Sequence, residues 1–163
     1  MLTGFAPIYD ETARVLIVGT MPSAASLAAA EYYAHKRNAF WPMMAQILGE
    51  PTGQDYGARC AMLRKHKIAL WDVLAHCERE GSLDAAIRSE QPNDFAALFA
   101  QTKIRHVFAN GKTAERLFQK YVSLPPDVTF HGAFCSTSPA YTLSYEKKCA
   151  AWRAILPYLN EEN

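Results

Sequence analysis

Four short apolar runs, each closed by small or polar residues, constrain the fold of this chain more than any other feature. The first is Arg14-Val15-Leu16-Ile17-Val18, ended by Gly19, the pattern of a strand covered on both faces. The others span 68–74, with Asp72 near its end, 104–109, closed by Asn110-Gly111, and 128–135, interrupted by Gly132. Helical signals fill the intervals. Ser23 caps a short helix over 24–30, and Asn38 opens one over 38–48, where Phe40, Trp41, Met44, Ile47 and Leu48 recur at helical spacing. A basic amphipathic helix is expected over 56–67, one capped by Asn93 over 94–101, one over 112–121, and one capped by Ser144 up to Tyr158. The stretch 75–91 reads as irregular, with a helical turn over 82–88, and the acidic tail 160–163 as frayed.

Strands alternating with helices, with no repeat and no linker, predict one domain over 1–163. Its expected fold class is α/β: three α/β/α layers around a central, mostly parallel four-stranded sheet. Ligands of such folds bind outside the carboxyl ends of the strands. The informative segments are therefore 19–38, 72–76, 110–112 and 136–141, and all carry polar or small groups.

Half the residues are apolar or aromatic, enough for a well-buried core. A net charge of +1 excludes a highly charged tail-like protein but leaves room for a local basic patch. Cys60, Cys77, Cys135 and Cys149 are widely spaced, without a C-x-x-C pair, which argues against zinc ribbons and iron–sulfur clusters. No metal and no cofactor is expected. Met1 to Asp10 has neither a basic region nor a long apolar run, and no stretch nears the roughly 18 apolar residues of a membrane span. A cytoplasmic protein, without membrane partners, is the default expectation.

The segment 15–41 gathers Tyr32, Tyr33, His35, Lys36, Arg37, Asn38, Phe40 and Trp41 just after the first strand. Aromatic faces, cations and an amide are what a pocket for a planar, polar ring needs. Each residue has a plainer role as well. Asn38 is a natural helix cap, Tyr33, Phe40 and Trp41 are natural core residues, and 64–67 is a natural solvated helix face. A Gly-rich phosphate loop and a nucleophile elbow are both missing.

The ordered set Gly19-Thr20-Met21-Pro22-Ser23, Tyr33-Ala34-His35…Asn38-Ala39-Phe40-Trp41, 70–74 and Ser136-Thr137-Ser138-Pro139-Ala140 resembles the uracil-DNA glycosylase superfamily over nearly the whole chain. It is most similar to the hypoxanthine-DNA glycosylase branch. Met21 stands where most families keep an acidic or amide catalytic group, Ser136 where the second motif has His or Asn, and Asp72 near a base-reading Asn. The resemblance implies a metal-free hydrolase that excises deaminated bases from DNA, chiefly hypoxanthine, as a monomer. Uracil or mismatch excision, or non-catalytic nucleic-acid binding, are the alternatives. It implies Asn38 as the catalytic residue, and Gly19, Thr20, Met21, Tyr33, Phe40 and Asp72 at the base. DNA contacts are implied for Pro22, Ser23, His35, Lys112, Ser136, Ser138, Pro139, Ala140 and Tyr141, with Tyr141 or Leu143 as the wedge that fills the vacated stack.

Overall fold

The computed structural model describes residues 1–160, so the acidic tail lies outside the described residues from 161 onward. Four strands form one all-parallel sheet: β2 (Val15–Gly19), β3 (Ile68–Asp72), β6 (His106–Asn110) and β7 (Thr129–Phe134), in the order β3-β2-β6-β7. All five residues of β2 are buried, as its unbroken apolar run requires of a central strand. Its side chains alternate between two cores. Val15 and Ile17 face a cluster built with α2 (Phe40–Leu48), α3 (Tyr56–Lys65), α6 (Tyr145–Trp152) and α7 (Leu156–Leu159). Leu16 and Val18 face a second cluster built with α4 (Phe95–Gln101) and α5 (Lys112–Tyr121). Helices on both faces give the three layers expected.

Helix boundaries follow local chemistry. Ser23 Oγ accepts from the N–H of Ser26 and caps α1 (Ala24–Ala29), and Ser144 Oγ accepts from Lys147 to cap α6. Gly49, at φ 70°, closes α2 in the left-handed conformation that favours glycine. The cap of α4 is Asp94 and not Asn93, because Asn93 Nδ2 donates to the carbonyl of Asp72 instead. The last helix ends as an α-helix at Trp152 and continues through a 3₁₀ turn into α7.

The stretch 75–91 corrects the sequence reading. The apolar run 68–74 is two strands. At Val73 the chain leaves the parallel sheet and enters a separate antiparallel one, in the order β1-β4-β5, made of β1 (Leu2–Thr3), β4 (Leu74–Glu78) and β5 (Arg88–Pro92). The N–H groups of Val73 and Leu74 donate to the carbonyls of Gly19 and Thr20, so this second sheet is tied to the end of β2. Only Asp84–Ala86 is helical in the connecting turn. The N-terminal segment runs along β3 through an antiparallel bridge between Ile8 and Leu70, which covers that edge of the main sheet. Among the described residues no helix is long and apolar enough to cross a membrane.

Candidate active site

The parallel sheet delivers Gly19, Asp72, Asn110 and the segment after Phe134 to one edge. A cavity of about 510 Å³ opens there, next to the point where the strand order reverses around β2. It is lined by most residues that the sequence singled out: Gly19 to Ser23, Tyr33, His35, Asn38, Asp72, Ser136 and Ser138 to Tyr141. Its size suits a ligand no larger than a few rings.

Tyr33 supplies the aromatic wall. Its backbone sits at φ 53°, a left-handed conformation costing a bulky residue about 1–3 kcal/mol. The turn is held by Ser26, whose carbonyl accepts from Glu31 and whose hydroxyl accepts from the Ala34 N–H at 3.1 Å. Behind Tyr33 lies Phe40, stacked at 4.4 Å between ring centroids and fully buried. Phe40 does not line the cavity, which corrects its expected contact with a base: it backs the ring that does. Trp41 is likewise core, its indole N–H donating to the Tyr32 carbonyl.

Asn38 precedes Ala39, the N-cap of α2, and is held in a turn of its own. Its Oδ1 accepts from the N–H of Phe40 at 2.9 Å, an Asx turn at the start of α2, and its side chain also lines the cavity. That bond fixes the carboxamide and leaves a lone pair on Oδ1 and the whole NH₂ for a ligand or a water. His35 Nδ1 accepts from the Arg37 N–H, so a neutral His35 carries its proton on Nε2 and can donate with it.

Asp72 is 4% exposed, and burial, reinforced by the Asp84 carboxylate and opposed by Arg79, pushes its carboxyl up to about 7. Its Oδ2 is buried without a hydrogen-bond partner, as is Tyr33 Oη. The Asn110 carboxamide bonds Thr137 through both its ends and also lies near the Tyr33 hydroxyl. Gly19 is where these groups meet. A Cβ there would collide with Asp72 Oδ1 and stand 2.8 Å from Tyr33 Oη, so a side chain at this position would displace both.

The loop after β7 is built from its own hydroxyls. Ser136 Oγ accepts from the Ser138 N–H, and Ser138 Oγ from the Ala140 N–H. Thr137, fully buried, joins the Asn110 carboxamide to this loop, and its carbonyl accepts from the Ala39 N–H beside Asn38. Lys148 is 4% exposed and donates to the Ser138 carbonyl at 3.0 Å, bracing the loop from inside. Tyr141, 48% exposed, lines the cavity. Met21 is buried in the second core, and Ser23 is occupied with its cap. Lys112 is exposed at the start of α5 and outside the cavity lining.

Two parts of the cavity were given no role from the sequence: Asn110 and Thr137, which join two strand ends, and Ser82, Leu83 and Asp84, which form a further wall. That last segment is anchored by the Ala24 N–H donating to Ser82 Oγ, and by Arg79 donating to the Pro22 and Gly81 carbonyls. An Asn at a strand end was the available signal for Asn110; nothing local marked 82–84. No group of residues suited to a metal ion occurs among the described residues.

The cavity thus offers a flat ring to lie on, an oriented amide, a buried carboxyl and a hydroxyl-rich loop at its mouth. The chain matches the family model of the uracil DNA glycosylase superfamily over residues 6–160. It is similar to a hypoxanthine DNA glycosylase of Methanosarcina barkeri, 37% identical over 111 residues, covering 67% of this chain and 70% of that protein. A hypoxanthine DNA glycosylase of Methanosarcina acetivorans is 37% identical over 114 residues, covering 68% and 72%. A solution NMR structure of a candidate uracil DNA glycosylase from M. acetivorans superposes with a TM-score of 0.81 at 29% identity over 98% of both chains.

Proposed function

We infer, because the chain belongs to the uracil DNA glycosylase superfamily, that it excises deaminated bases from DNA and that hypoxanthine is its main substrate. Membership and the two named relatives make it a DNA glycosylase, a hydrolase of N-glycosidic bonds. The observation that carries the hypoxanthine reading is the position of Asn38. It brings a carboxamide to the cavity wall, while Met21, which lines the same cavity from the turn where most of the superfamily keeps its catalytic group, brings only a thioether packed against the second core.

The extruded nucleotide enters the cavity with its base on the Tyr33 ring, a stack worth about 1–3 kcal/mol. As the bond to C1′ lengthens, the sugar gains oxocarbenium character and the base gains negative charge. An amide is too weak a base to deprotonate water, so Asn38 acts by orientation. Its Oδ1 lone pair aligns the attacking water, or its NH₂ donates to the departing base, and the Phe40 N–H holds it still. The cationic sugar then supplies the drive for water addition. The hydroxyl-rich loop 136–138 and His35 grip backbone phosphates, and Tyr141 fills the space that the base vacates. The reading carries a monomeric cytoplasmic enzyme that needs no cofactor.

The experiment is base release from matched oligonucleotides containing deoxyinosine, deoxyuridine or deoxyxanthosine, followed by cleavage of the abasic site. Deoxyinosine is expected to react fastest. Faster release of uracil would move the chain to the uracil branch, a reading that the NMR neighbour favours. Absence of release from all three would overturn the glycosylase assignment.

A further inference from the structure

Lys148 is the only buried lysine or arginine among the described residues, and it takes part in no ion pair there. An unpaired cation in the interior costs free energy, so the contacts that hold it are informative. Its place follows from α6. The Ser144 cap starts that helix, and Lys148 and Trp152, one turn apart, lie on one face of it. Both donate to the segment after β7: Trp152 Nε1 to the Cys135 carbonyl at 2.9 Å, and Lys148 Nζ to the Ser138 carbonyl at 3.0 Å. The second contact falls on a turn. Pro139 presets the backbone of Ser138-Pro139-Ala140-Tyr141, and the Tyr141 N–H donates to the same Ser138 carbonyl at 3.0 Å. The Lys148 ammonium also lies 5.9 Å from the centre of the Tyr141 ring, within reach of a cation–π contact. One buried cation is therefore tied to Tyr141 twice, by a shared carbonyl and by the ring, while Tyr141 itself stays exposed in the cavity lining.

We propose that Lys148 is a positioning residue for base extrusion: its buried ammonium sets the turn 138–141 so that Tyr141 is already aimed at the duplex when DNA arrives. The inference rests on the glycosylase reading, in which Tyr141 fills the space that the base vacates, and adds the residue that directs it. Extrusion breaks a base pair and its stacking, and a side chain that takes the place of the base stabilises the open state. A freely rotating tyrosine would lose rotamer freedom on insertion. The shared carbonyl and the ring contact remove part of that loss in advance. Lys148 is outside the cavity lining and touches the substrate at no point, so it acts through Tyr141 alone. This gives the role a signature. Help with extrusion matters most where the pair resists opening, so the loss of Lys148 should be felt in proportion to the stability of the pair that holds the damaged base.

The test is single-turnover excision by the wild type, Lys148→Met, Tyr141→Ala and the double variant, from a duplex with deoxyinosine opposite cytosine and from one with deoxyinosine opposite an abasic spacer, which offers no pair. K148M should lose about ten- to a hundredfold on the paired base, the range of one hydrogen bond to a charged group. On the unpaired base it should lose no more than about threefold, because little extrusion work remains. Methionine matches the lysine stem in length, and the Ser138 carbonyl keeps its bond from Tyr141, so no buried acceptor is left bare. Any loss of folded protein lowers both rates alike and cancels in their ratio. Y141A should show the same split, and the double variant should be no slower than Y141A. Equal losses on the two duplexes, additive losses in the double variant, or a K148M as fast as wild type on the paired base would each overturn the proposal. Hydrogen exchange at the Tyr141 amide of the free protein is the second readout, and it should be faster in K148M. Were the wild type to excise nothing from either duplex, the glycosylase reading would fail instead. Faster exchange in K148M would then still support the hold of Lys148 on Tyr141, and unchanged exchange would overturn it.

Discussion

Asn38→Ala should slow single-turnover base excision by about a hundred- to a thousandfold, the effect of removing one positioned hydrogen-bonding group from a reacting centre. DNA binding should change little, because an interaction made in the transition state lowers kcat and kcat/KM together. Asn38 also closes the first turn of α2 through Phe40 N–H, so the substitution should cost about 0.5–2 kcal/mol of stability as well. Asn38→Ser separates the roles, since a serine hydroxyl can accept the same N–H but offers no carboxamide. N38S should recover most of the lost stability and little of the lost rate. A fully active N38S would mean that Asn38 supports the Asx turn before α2 and nothing more.

Gly19→Ala should be nearly as damaging by a different route. The added methyl meets Asp72 Oδ1 and stands 2.8 Å from Tyr33 Oη, so the carboxyl and the stacking ring must both move. Overpacking of this kind costs about 1–3 kcal/mol, measurable by denaturant unfolding. Displacing a binding surface by about an ångström lowers rates on the order of a hundredfold. Activity should thus fall further than the stability loss accounts for at a temperature where the variant is folded. An active G19A would show that Asp72 and Tyr33 are not positioned through Gly19.

The parts of this site that the sequence revealed are those encoded locally. An apolar run buried on both faces can be read as a strand, so the ends of β2 and β6 and the segments after them were visible, and β7, though only half-buried, kept enough of the apolar pattern to be read as well. The antiparallel sheet was not. β5 reads Arg-Ser-Glu-Gln-Pro, with no apolar alternation and with Ser89 at φ 55°, and its bulged pairing with β4 is set by tertiary contact. The break at Val73 was hidden because both strands are apolar where they join. Asn93 and Asp94 are equally good caps by composition. Only the position of the Asp72 carbonyl decides which one starts α4. Lys148 looks like a surface cation until the Ser138 carbonyl is placed above it. Each miss is a case in which a partner distant in sequence determined the outcome.

These corrections change how the site works more than where it is. The aromatic segment after β2 withdraws Phe40 and Trp41 into the core. It presents Tyr33, held in a strained turn and backed by the buried Phe40. The loop after β7 is likewise a braced element, joined to β6 through Asn110 and Thr137 and to α6 through Lys148. A cavity walled by such cross-linked segments is preorganised, so orientation by Asn38 can be effective without a strong base.

The central claim, that this cavity receives the flipped base, is tested most directly by a structure of the protein bound to duplex DNA carrying a 2′-fluoro deoxyinosine that resists hydrolysis. The account predicts hypoxanthine inside the cavity, lying on Tyr33, with its glycosidic carbon beside Asn38 and its lactam edge toward Asp72. A base still stacked in the duplex, or extruded elsewhere with Tyr33 and Asn38 untouched, would contradict it.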